Sequence, residues 1–213
     1  MSRASFALHR PSVSGIVTAM EELVHEDITE EMRSFLAGKR MRIYEMRMHV
    51  VGDPSEDLTL DTHLSEVKGL FLHREYRAKN LRGEVVLFAS ARLVVTDLTK
   101  MVPVKVPASW VETPSNALLP PTDLRPKITN REGVEIACML TDCAEHGFVH
   151  PRAYLAPLLD GHPEKKLRTL DVTYEKECAP GECTLIVEEE ADVLAACYLH
   201  AGEVVTHLRI TWK

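Results

Sequence analysis

The stretch "TDCAEHGFVHPRAYL", Thr141–Leu155, sets two carboxylates, a thiol and two histidines around one glycine, just ahead of a short apolar run. His146 has the chemistry of a general base, because imidazole titrates near neutral pH. Such a base can activate water for attack on a carbonyl, together with a donor that polarises it. Pro151 suits the first turn of a helix. Backbone N–H groups at that helix start would favour negative charge developing on a carbonyl oxygen. His150 is a second catalytic candidate; Asp142 is a third, or a cap for the turn. Further along, Glu177 in "YEKEC" supplies a carboxylate able to orient His146, provided the fold brings them together. The same groups suit proton abstraction beside a carbonyl.

The five cysteines, Cys138, Cys143, Cys178, Cys183 and Cys197, all fall in the last third of the chain. "CAPGEC" has four residues between its thiols and no matching second pair, which is a poor zinc signature. Buried structural thiols, with no metal and no cofactor, are the expectation. Nothing in the sequence marks Cys143 or Cys178 as a thiol of lowered pKa, so neither is expected to be a nucleophile.

The elements that must position these groups follow from periodicity. The chain has 213 residues, 45% hydrophobic and 27% charged, ordinary for a globular protein. Its net charge of -7 argues against a partner held through phosphates, and so against nucleic acid. No apolar run has the length of a signal peptide or a membrane span, so a cytoplasmic protein is expected. After a short strand "SFALHR", residues 14–37 carry Ile16, Met20, Leu23, Val24, Ile28, Met32 and Phe35 at helical spacing, with Gly38 as the C-cap. Glu22 and His25 share a face of this helix and are expected to be solvated. From Arg40 the period becomes two, giving successive strands to Pro107. Within them "HREYRAKNLR", His73–Arg82, reads as a solvated basic face, or less readily as a docking strip for an acidic carrier or phosphorylated cofactor. A proline-rich linker follows over 113–127.

The second half repeats the order. "GVEIACML" reads as a strand and "HPRAYLAPLLDG" as a helix. Three stretches follow: "LRTLDVTYEKEC", then "CTLIVEEEADVLAACYLHA" with a turn near Ala191, then "EVVTHLRITWK". Two copies of helix-then-meander are expected, in units 1–112 and 128–213. The class is α+β, each antiparallel sheet curling around its helix.

The stretch "THLSEVKGLFLHREYRAKNLRGEVVLFASARLVVTDLTKMVPVKVP" resembles the first-domain core of acyl-ACP thioesterases. "TDC…GFVHPRAYL", "LDVTYEKECAPGE" and the strand ending at Trp212 resemble the second domain. The resemblance implies a double hotdog acting on a fatty acyl chain carried on a phosphopantetheine arm. The family's run S-D-x-D-x-N-x-H-V-N-N-x-x-Y places Asp142 on its first Asp, Val149 on its Val and Tyr154 on its Tyr. Ala144, His146 and Phe148 stand where its second Asp, its Asn and its His belong. Glu177 falls on the family's catalytic-site glutamate and Cys178 on the cysteine after it.

His146 as base with Glu177 as its partner is therefore the expected site. An apolar tunnel lined by Ile16, Met20, Leu23 and Val24, with Phe148 and Tyr154 on the substrate, is expected to hold the chain. Hydrolysis of a thioester on acyl carrier protein or CoA is the leading reading. Dehydration, isomerisation or cyclisation of a thioester-bound fatty or polyketide chain is the alternative, and a catalytically inactive acyl-binding protein the third. No membrane or nucleic-acid partner is expected, and a homodimer is left open.

Overall fold

The computed structural model describes residues 4–26, 28–111, 134–141, 147–162 and 164–213. The chain forms two compact units, one of Met1–Pro11 with Ala19–Pro121, the other of Ser12–Thr18 with Thr122–Lys213. In the first, strands β1 (Ala4–Leu8), β2 (Lys39–Val50), β3 (Leu58–Lys68), β4 (Phe71–Asn80) and β5 (Val85–Asp97) lie in the order β1-β3-β4-β5-β2, with β6 (Val102–Val104) beside β5. In the second, β7 (Val134–Leu140), β8 (Leu167–Tyr174), β9 (Gly181–Glu190), β10 (Val193–His200) and β11 (Glu203–Trp212) lie in the order β7-β9-β10-β11-β8. The two orders are the same once β1 is matched to β7, β2 to β8, and so on. Neighbouring strands within each unit run antiparallel.

Two-residue periodicity explains most of this, and one bulge refines it. On β2 the buried apolar residues are Met41 and Ile43, then Met46, Met48 and Val50. The parity changes because the β2–β5 register shifts between Ile43 and Glu45. An extra residue there returns the later apolar side chains to the face the earlier ones occupy.

The expected continuous helix over 14–37 is instead broken. Helix α1 (Val13–Glu22) tightens into a 3-10 turn at Leu23–His25, and α2 (Glu30–Leu36) starts afresh. Thr29 accounts for the restart: its hydroxyl accepts the Met32 N–H at 3.2 Å, an N-cap that competes with helix continuation. The carbonyls exposed at the end of α1 find donors on β4. Tyr76 Oη donates to the Met20 carbonyl at 3.0 Å, and the Arg74 guanidinium donates to Val24 at 3.4 Å and to Thr62 Oγ1 at 3.2 Å. Gly38 follows α2 at φ +71, the left-handed position that favours glycine past a helix end. Glu22 and His25 are both exposed.

The reading of His73–Arg82 as a solvated face is corrected. His73, Arg74 and Glu75 are only 5%, 0% and 1% exposed, so β4 is buried on both faces. Arg74 points towards the helix end. Glu75 accepts from Ser90 Oγ at 3.0 Å, and Arg92, the register partner of His73, pairs with Glu45. A row of charged residues on adjacent strands covers itself, which a strand read alone does not reveal.

Two tests follow from this packing. Tyr76→Phe removes the donor to the Met20 carbonyl and should cost about 1–2 kcal/mol in chemical denaturation, with the fold intact by circular dichroism. The imidazole of His73 is held below its ordinary value of 6.5, chiefly by burial; Lys68 adds to this and Glu66 opposes it. The unfolded chain then takes up that proton first. Stability is full above about pH 6.5 and falls as the pH drops through that value towards the folded-state pKa. His73→Gln should flatten that acid limb in melting temperatures measured against pH.

Candidate active site in the second unit

Helix α3 (Arg152–Leu159) lies over the sheet of the second unit. Tyr154, Leu155, Leu158 and Leu159 are its buried residues. From β10, Tyr198 Oη donates to the Tyr154 carbonyl at 3.0 Å, and the two rings meet edge to face at 5.1 Å. The end of the helix is tightly built. Asp160 N–H donates to Ala156 at 2.8 Å, and the Asp160 carboxylate accepts from Ser14 Oγ at 3.1 Å. A Cβ on Gly161 would stand 2.5 Å from the Pro157 carbonyl oxygen, so the chain leaves the helix here only as glycine.

One backbone hydrogen bond joins two segments distant in sequence. Val149 N–H donates to the Cys178 carbonyl at 2.9 Å, tying the approach to α3 to the segment that follows β8. The segment Phe148–Pro151 and the pair Glu177–Cys178 are thereby neighbours, although far apart in sequence. His150 is half-buried, and its Nδ1 accepts the Arg152 N–H at 3.2 Å. That bond leaves Nδ1 without a proton and makes His150 a cap for the helix start. Glu177 and Phe148 are half-buried. His146 and Asp142 lie outside the described residues.

Tyr154 is buried at 3% exposure, and its hydroxyl meets Cys178 Sγ at 3.0 Å. Its pKa is raised by burial first and by Cys178 second. Burial likewise raises Tyr198, and pushes the Cys183 thiol up to about 11. These groups hold their protons at neutral pH. They are donors, not nucleophiles.

Beside the helix is a cavity of about 460 Å³. Its walls include Ile136 and Leu140 of β7, Ala153 and Leu158 of α3, Leu185 of β9 and Tyr198 of β10. Pro157 also faces it, and having no N–H it offers nothing to the Ala153 carbonyl on the same wall. The expected tunnel residues Ile16, Met20, Leu23 and Val24 are buried, and neither they nor Phe148 or Tyr154 line this cavity. The alternating apolar residues of "GVEIACML" and "CTLIVEEE" carried the signal for its lining. Only the pairing of β7 with β9 joins them.

No family model and no curated protein matches this sequence. Solved structures do match over the whole chain. An acyl-ACP thioesterase from Bacteroides thetaiotaomicron superposes with a TM-score of 0.83 at 15% identity, covering 100% of both chains. The 12:0-ACP thioesterase from Umbellularia californica gives 0.71 at 13%, covering 100% of this chain and 96% of its own. A MaoC-like dehydratase from Phytophthora capsici gives 0.58 at 11%, over 81% and 72%. The chain has the hotdog fold of acyl-ACP thioesterases.

The glycine at the helix exit provides a direct check on this geometry. Gly161→Ala forces a methyl group against backbone and should destabilise the protein by roughly 1–3 kcal/mol in thermal unfolding, as overpacking does.

Proposed function

We propose that this chain is a double hotdog, in halves 1–112 and 128–213 joined by 113–127, that hydrolyses an acyl thioester borne by acyl carrier protein or CoA. The observation that carries the reading is the cavity of about 460 Å³, with apolar walls that reach the first turn of α3 through Ala153. Its size is within the roughly 300–1,000 Å³ of small-ligand sites. An acyl chain seated there has its thioester near the helix start, where the helix dipole favours developing negative charge. The Arg152, Ala153 and Tyr154 N–H groups are already donated to His150 and Pro151. The bond between Val149 and Cys178 brings Glu177 to that end of the helix. His146 is the proposed base, oriented by Glu177, with His150 and Asp142 assisting. The likeness to thioesterases supports this reading, and the acyl-ACP specificity of those proteins suggests a carrier-bound chain.

The likeness to a MaoC-like dehydratase favours a second reading. Ala144 and Phe148 replace groups that the resemblance leads one to expect, and a histidine–carboxylate pair also serves proton removal next to a thioester carbonyl. A panel of acyl-carrier and acyl-CoA substrates followed by mass spectrometry separates the readings. Free acid and thiol indicate hydrolysis; an altered chain still on its carrier indicates dehydration, isomerisation or cyclisation. Ligand retained without turnover indicates an inactive binding protein.

His146→Ala should lower kcat by roughly 10²–10⁴, the usual worth of a general base, with the melting temperature unchanged. Unchanged turnover in that variant would remove His146 from the mechanism. Leu185→Trp narrows the cavity and should shift the preference to shorter chains, lowering kcat/KM for the longest good substrate by roughly tenfold or more.

A further inference from the structure

Two thiols and an imidazole gather at one place in the second unit, behind the contact of α3 with Cys178. We propose that Cys178, Cys183 and His200 form a binding site for a zinc-class metal ion. One ligand atom from each lies within 4.8 Å of the other two. Cys183 is on β9 and His200 ends β10, one step beyond the pair Leu199–Thr184 in the antiparallel register. That register puts Cys183 Sγ 3.7 Å from His200 Nδ1. Cys178 comes from the segment between β8 and β9, whose carbonyl is anchored by Val149. Three separate elements thus deliver the three ligands.

The donor set decides the class of ion. Two sulfurs and one imidazole suit zinc and other soft or borderline d10 ions, and are unsuited to magnesium or calcium, which take oxygen. Zinc bonds of about 2.3 Å to sulfur and 2.0–2.1 Å to nitrogen require only modest closing of these distances. The surroundings have the supporting contacts that such sites use. His200 Nδ1 lies 3.2 Å from the Glu182 carbonyl oxygen. Nδ1 is also the ring nitrogen that faces Cys183, so as the ligand it would exchange the Glu182 carbonyl for the ion. The Tyr154 hydroxyl, 3.0 Å from Cys178 Sγ, can donate to a thiolate. Cys178 and Cys183 are buried, while His200 is partly exposed and gives an ion a way in. Three protein ligands leave a fourth position for water or another small donor. Spacing alone conceals the site: "CAPGEC" has no second pair, and the third ligand arrives from a neighbouring strand. An ion here would tie the segment carrying Glu177 to β9 and β10, whatever reaction the site performs.

The test uses the full chain, reduced and stripped by a chelator, then titrated with Zn²⁺ against a chromophoric competitor and with Co²⁺ by absorption. One equivalent should bind, with a thiolate-to-cobalt charge-transfer band. Cys183→Ser and His200→Ala should each weaken binding by at least roughly 100-fold, more than loss of an outer-shell partner costs. Cys197→Ala should bind as the parent does. A readout independent of variant folding is alkylation of the native protein, mapped by peptide mass spectrometry. Zn²⁺ should slow modification of Cys178 and Cys183 by roughly tenfold or more. No stoichiometric uptake, uptake unchanged in both ligand variants, or alkylation insensitive to Zn²⁺ would overturn the proposal.

Discussion

In each unit a tyrosine hydroxyl reaches from the sheet to a helix carbonyl. Tyr76 donates to Met20 and Tyr198 to Tyr154, both at 3.0 Å. The two tyrosines are on β4 and β10, equivalent strands in the shared order. Both are buried to 1% exposure or less. A buried phenol must find a partner, and a helix laid on an apolar face offers few. The bond therefore holds the rotation and the depth of the helix together. In the first unit it also meets the cost of ending α1 in mid-core, because Arg74 on the same strand supplies Val24. The fully buried guanidinium is thus a consequence of the broken helix.

In the second unit the same constraint aims the helix start. Tyr154 accepts from Tyr198 through its carbonyl and meets Cys178 through its hydroxyl. One residue links the sheet, the helix and the segment after β8. The Val149–Cys178 bond then closes a short circuit of contacts around the helix start. Loss of the cavity's shape and misplacement of Glu177 should therefore accompany each other, since both depend on where α3 lies. The cavity takes its apolar wall from the side of the helix that also contributes Leu158.

How much of this was legible in the sequence depended on the range of each interaction. Strand positions followed from alternation because pleating is local: β9 and β10 meet at a turn where Ala191 has φ 52, as the break near that residue implied. The interruption between the 3-10 turn and α2 was not legible from apolar spacing, since Ile28, Met32 and Phe35 keep the helical rhythm; Thr29 as a cap was the available signal. The burial of His73–Glu75 was hidden for another reason. Glu75 meets Ser90 and His73 stands opposite Arg92, both on β5, while Arg74 meets Thr62 of β3 and the Val24 carbonyl; composition within β4 alone reads as solvated. In the second unit the start of α3 was legible from residue type, Pro151 ahead of an apolar run. The cavity needed the β7–β9 pairing, which sequence spacing does not encode.

The electrostatics of the second unit divide its polar groups by task. Burial raises Cys138, Cys183 and Cys197 and raises the phenols of Tyr154 and Tyr198. A neutral phenol or thiol gives a hydrogen bond but takes no proton from water at neutral pH. A metal ion would change this for a thiol, by displacing its proton. Without one, proton abstraction in this unit is left to imidazoles and carboxylates. His150 already uses Nδ1 to cap the helix through Arg152, so its remaining capacity rests on Nε2. An imidazole held by a carboxylate through one nitrogen keeps the other for a proton, which is the arrangement proposed for His146 and Glu177.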